Sequence, residues 1–88
     1  MPTLCYLFGL RICMFMEKHA PHSLPHFHIF IGNSKIATIS VKDGDVISGT
    51  LSKSEKKLIR SFVNDKRKEL SRAWEELQNG RPPSKIKV

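Results

Sequence analysis

Residues 26–50, HFHIFIGNSKIATISVKDGDVISGT, decide the fold. Phe27, Ile29 and Ile31 alternate with His26, His28 and Phe30, and alternate side chains of an extended chain point to opposite faces. Phe27 and Phe30 therefore fall on opposite faces, and one of them is expected to be exposed or beneath the helix. Gly32-Asn33-Ser34 is turn chemistry. Residues 35–41 alternate again, with Ala37, Ile39 and Val41 on one side. Asp43-Gly44 is the dipeptide of a two-residue type I′ hairpin, and residues 45–50 read as the returning strand. Strands joined by tight turns make an antiparallel meander.

Downstream of it, Ser52 and Glu55 have the spacing of a capping box. A helix is expected from there to Asn79, with an apolar stripe of Leu58, Ile59, Phe62, Val63, Leu70, Ala73, Trp74 and Leu77 at spacings that keep one face. Gly80 and Pro82-Pro83 stop it. Lys66 interrupts the stripe, its stem buried and its amine out. Such a helix is roughly 40 Å long at 1.5 Å per residue. A small sheet cannot cover that length, so the helix bends near Asn64-Asp65 or one end protrudes to meet a partner.

Upstream, residues 3–16 are rich in Leu, Ile, Phe and Tyr and read as β structure, with Tyr6 and Phe8 in the core. Gly9 divides them. One residue is too short for a hairpin loop, so Gly9 reads as a bulge or sharp bend. Residues 17–25 hold two prolines and read as a loop, and residues 85–88 as an added edge strand. The expected fold is α+β: a curved antiparallel sheet of about four strands packed against one long C-terminal helix. At 88 residues it is one domain, 1–88. A chain of this size buries only about 60–65% of its unfolded surface, so modest stability or oligomerisation, including a homodimer, is expected.

Fifteen Lys and Arg against eight Asp and Glu give a net charge of +7. That balance fits an anionic partner, whether RNA, DNA or an acidic protein, and equally a solvated surface. The excess is not confined to one block: residues 53–72 carry eight basic and three acidic side chains, the tail adds Arg81, Lys85 and Lys87, and Arg60, Lys66, Arg67, Lys68 and Arg72 are the candidate contacts. With only one helix legible, no helix-turn-helix pair is present. Cys5 and Cys13 read as buried free thiols in a reducing, cytoplasmic compartment. The apolar residues 4–16 are too few to span a bilayer and lack signal-peptide flanks, so no membrane partner is expected.

The candidate chemical site is His22, His26 and His28. The bland reading is that histidines beside a proline bond backbone carbonyls and shape a loop–strand junction. The metal reading uses strand geometry: His26 and His28 point the same way and share a Zn or Ni ion with His22, or with His19, supplied by the loop. The acid–base reading gives the two strand histidines proton transfer at a phosphate, with Arg11 or a helix lysine neutralising charge, as in a metal-independent ribonuclease. No nucleophile motif, phosphate loop or carboxylate pair accompanies them. Because no apolar core side chain is lost, His28→Ala is expected to leave the fold intact.

The opening Met1-Pro2-Thr3, the Phe8-Gly9-Leu10 step, Pro25-His26-Phe27-His28, Asp43-Gly44 followed by Gly49, the capped helix with Trp74, and Asn79-Gly80-Arg81-Pro82-Pro83 occur in this order. Together they resemble the small bacterial domain of unknown function 4160 family. Members carry a His, two prolines, then His-x-His. Here Pro25 is kept, Leu24 replaces the first proline and His19 is extra, so His22, His26 and His28 match the family positions best. The resemblance implies an unassigned activity and a gene arrangement like that of toxin–antitoxin modules, with a small protein partner encoded by a neighbouring gene. The resulting expectation is a small basic binding module in such a pair, contacting a partner protein or nucleic acid. The alternative is a histidine-dependent ribonuclease or small metal-binding enzyme.

Overall fold

The computed structural model describes residues 3–15 and 24–88. Within them, strands β1 (Thr3–Leu7), β2 (Leu10–Cys13), β3 (His26–Ile31), β4 (Ser34–Ser40) and β5 (Val46–Gly49) form an antiparallel sheet in sequential order, followed by the helix α1 (Lys53–Gln78). The sheet is an open meander with β1 and β5 at its edges. The α+β class and the sheet-plus-helix architecture are as the alternation and the helical stripe require.

The first hairpin differs from the sequence expectation. Leu7 pairs with Leu10, so Phe8-Gly9 is a two-residue loop and Gly9 is not an isolated bulge. Both residues have positive φ, 49° for Phe8 and 82° for Gly9, which is the type I′ signature. Phe8 was hidden because a bulky aromatic seldom adopts left-handed backbone. Tyr6 and Phe8 are not core residues either: they are 66% and 85% exposed.

The Asp43-Gly44 hairpin is present but wider than two residues. The chain turns through residues 41–45, with Gly44 N–H donating to Ser40 O and Ser40 N–H to Asp45 O, each at 2.9 Å. Asp43 Oδ1 accepts from Asp45 N–H at 2.9 Å and closes a local Asx turn. Asp43 does not have positive φ, so the turn is not type I′.

Helix α1 begins with the reciprocal Ser52–Glu55 capping box. It ends in a Schellman pattern, Arg81 N–H to Glu76 O at 2.8 Å and Gly80 N–H to Leu77 O at 3.0 Å. The helix departs from helical dihedrals at Lys66 (φ −115°, ψ 23°), where a charge interrupts the apolar stripe. The half-buried Lys66 ammonium lies 3.7 Å from Asp65 and 3.8 Å from Glu69. Ile59, Phe62 and Val63 are buried before the break, and Leu70, Ala73, Trp74 and Leu77 after it.

The core lies between one sheet face and α1, with Leu10, Ile12, Phe27, Ile29, Ala37 and Ile39 meeting the helical stripe. Phe27 and Phe62 make an edge-on ring contact at 6.0 Å. A register shift in β1 between Thr3 and Cys5 lets adjacent Leu4 and Cys5 both enter this core. The tail is not a strand, but Ile86 is buried and its N–H donates to Leu4 O at 2.9 Å. Among the described residues no helix is long and apolar enough to cross a membrane.

Candidate functional site

Strand β3 carries His26, His28 and Phe30 on the face away from Phe27 and Ile29. All three are buried, and Phe27 on the other face lies beneath the helix against Phe62, as expected of one member of the pair. Cys13 lies opposite His28 on β2 and Thr38 opposite it on β4. His28 Nδ1 is 3.0 Å from Thr38 Oγ1. Its ring packs against Phe15 with centroids 4.9 Å apart. The His26 ring stands edge-on to His28 at 5.3 Å and lies 5.0 Å from Trp74 of α1. His26 Nδ1–H donates to Leu24 O at 2.8 Å, bracing the chain as it enters β3 from Pro25. Pro25 O in turn accepts from Val41 N–H at 3.0 Å.

The two strand histidines therefore come together as alternation demands. His22, the third proposed ligand, and the alternative His19 lie outside the described residues. Among the described residues no group of three or more His, Cys, Asp or Glu converges to hold a metal ion. Both imidazoles engage Nδ1 in a hydrogen bond. His28 is also a packed interior side chain bonded to Thr38, so His28→Ala removes structure as well as any chemistry.

The basic residues separate. Arg60 is exposed and bonds Asp45 at 2.6 Å. Arg67 reaches Asn64 Oδ1 at 2.9 Å, while Lys68 and Arg72 are exposed. Lys66 lies instead in a recess with Leu7, Leu58, Phe62 and Val88. Arg60 shares a shallow depression with Lys53, Lys56, Lys57, Ser61 and Asn64. The sequence reading did not nominate those three lysines. The overlooked signal was their position in the first turns of the helix, where its dipole disfavours cations. The last turn of α1 contains no basic residue. This charge order opposes helix stability and concentrates positive potential at the first half of α1.

Cys5 and Cys13 are free thiols, both buried. Burial, reinforced by Cys13 and opposed by Lys66, pushes the Cys5 thiol up to about 11. A buried neutral thiol of this kind is an unreactive packing group.

The model of the family described as Domain of unknown function (DUF4160) matches residues 9–75, from the β1–β2 turn into the second half of α1. No curated protein and no solved structure matches the chain. The match covers most of the chain, and the protein belongs to the DUF4160 family.

Proposed function

We propose that this DUF4160 protein is a small basic binding module, one component of a toxin–antitoxin-like pair, whose α1 face docks an acidic partner protein encoded by a neighbouring gene. The depression lined by Lys53, Lys56, Lys57 and Arg60 carries this reading. Lys53 and Lys56 stand in the first turn, where a cation costs helix stability roughly 0.3–1 kcal/mol at low salt, and so call for a reason outside the fold. They supply charge without an aromatic ring, which suits carboxylates. The test is co-expression with the neighbouring gene product, followed by co-purification across a salt gradient and growth assays of each protein alone and together. Release of the partner by moderate salt, and its loss on Lys56→Glu with Lys57→Glu, is the expected result. A complex indifferent to both, or no complex, defeats the reading. Nuclease-sensitive co-purification would replace the protein partner with nucleic acid.

A second reading, a histidine-dependent ribonuclease or small metal-binding enzyme centred on His22, His26 and His28, is favoured by one observation. His26 and His28 project from one strand face with ring centroids 5.3 Å apart, whereas the Nδ1–H bond from His26 to Leu24 O is what the structural reading of these histidines expects. Calorimetric titration with Zn²⁺ and Ni²⁺ at neutral pH and below pH 6 tests it. Binding that disappears on acidification supports it, because an imidazolium is not a ligand.

A further inference from the structure

We infer that the sheet face turned away from the core binds single-stranded nucleic acid across β1–β4, through a cross-strand row of alternating rings and cations. The paired registers place Tyr6 beside Arg11, Arg11 beside Phe30, and Phe30 beside Lys35. Paired residues share a face, so the four side chains form one line across four strands. Tyr6 is 66% exposed, an apolar ring left in water on a strand whose neighbours Cys5 and Leu4 are buried. Arg11 stacks its guanidinium 5.0 Å from the Phe30 ring centre, and Lys35 is exposed. One residue beyond β1's end, Phe8 presents a second ring at the hairpin tip, 85% exposed.

Charge selects the occupant. Residues 3–15 and 24–42, which build β1 to β4, contain no Asp or Glu. Arg11 Nη2–H donates to Gly32 O at 3.3 Å, while its Nε is buried with no hydrogen-bond partner among the described residues. A guanidinium held by stacking, with no carboxylate beside it among the described residues, favours an anion. Exposed rings beside uncompensated cations match unpaired bases on a phosphate chain, because every base offers a π-face and every linkage a charge. Strands about 4.8 Å apart set Tyr6 and Lys35 roughly 14 Å from one another. That span is the length of two or three nucleotides, with Tyr6 as the exposed ring of the row and Phe30 buried beneath Arg11. The left-handed backbone at Phe8 fits the same use: strain at an exposed tip is tolerated where the ring has work beyond the fold.

This surface is separate from the α1 depression, so the inference and the docking of a partner protein on α1 can fail independently. Fluorescence anisotropy with short labelled oligouridylate and oligothymidylate, a duplex of equal length and polyglutamate tests it on the full chain. Both single strands should bind more tightly than the duplex or polyglutamate. Tyr6→Ala should weaken single-strand binding by about 10- to 100-fold, the size of one lost base–aromatic stack, and Tyr6→Phe should restore it. Lys35→Gln should lower the slope of log affinity against log salt by about 0.7, the value for one single-strand phosphate contact. Thermal melts should show each variant folded, since Tyr6 and Lys35 are exposed. Three results overturn the inference: no single-strand binding at low salt; equal binding of duplex or polyglutamate; or binding that survives Tyr6→Ala with Lys35→Gln and is lost when Lys53, Lys56, Lys57 and Arg60 are neutralised.

Discussion

Replacing Phe8 by Asn should make the protein more stable. Left-handed backbone costs an L-residue roughly 1–2 kcal/mol, and Asn, whose short polar side chain bonds locally, tolerates it best after Gly. At φ 49° followed by Gly9 at 82°, position 8 is the first central residue of a type I′ turn, where Asn-Gly is preferred. The ring gives little in return, because at 85% exposure it buries almost no area. The lost burial is worth less than about 0.5 kcal/mol. The net gain is then about 0.5–1 kcal/mol, which for a domain of this length raises Tm by roughly 3–6 °C. Urea unfolding followed by circular dichroism should show a higher midpoint with an unchanged slope. Phe8→Ala separates the causes: it removes the ring and keeps the strain, so it should be close to neutral. A loss of stability in both variants would mean that the ring packs in solution and that the turn argument is wrong.

Gly49→Ala should be severe: at φ +84° its Cβ would sit 2.2 Å from Ile36 O and 2.7 Å from Ala37 Cα. Backbone strain and overpacking together cost about 2–5 kcal/mol, and a urea-measured loss under about 1 kcal/mol would show that β4 and β5 part easily. His28→Ala should cost about 2–4 kcal/mol, by removing a buried ring and orphaning the Thr38 hydroxyl, again read by urea unfolding. An unchanged midpoint would show the His28–Thr38 contact to be energetically idle. Stability should also fall in alkali. The folded Cys5 thiol is raised from an ordinary 9.0 to about 11, so its contribution is complete below pH 9.0 and lost as pH climbs to about 11. Urea midpoints of wild type and Cys5→Ala measured across that window should converge, and parallel curves would refute the assignment.

The helix was the most legible element because each of its signals is local. The capping box, the stripe and the stop at Gly80 all follow from residues within a turn of one another, while the break falls at Lys66, just beyond the Asn64-Asp65 step where the sequence places a bend. The β3 and β4 alternation was equally plain. What escaped was set by pairing across strands. The register shifts that leave Ile36 without a partner on β3 and Ile47 without one on β4 have no marker in their own segments. The β1 shift that turns Cys5 inward and leaves Tyr6 outward reverses the reading of the first strand. The Phe8-Gly9 turn was missed because its first residue violates turn preference. Local rules fail where a residue is chosen for something other than the fold, which makes that failure informative.

Strand β3 shows how the same alternation serves two ends of one sheet face. At its start, His26 and His28 are closed over by Trp74 and Phe15 and bonded to Leu24 and Thr38. Toward its other end, Phe30 underlies Arg11, and the row opens to exposed Tyr6 on one side and exposed Lys35 on the other. The histidines that dominate the sequence are thus at the closed end, where a change should register first as lost stability. The residues at the open end can be altered with little damage to the core. A substitution series along this face should therefore divide: His28 variants should change the unfolding midpoint, and Tyr6 and Lys35 variants should change ligand affinity at constant midpoint. If the two measurements instead moved together at every position, the face would be one cooperative unit and no separate binding surface would exist on it.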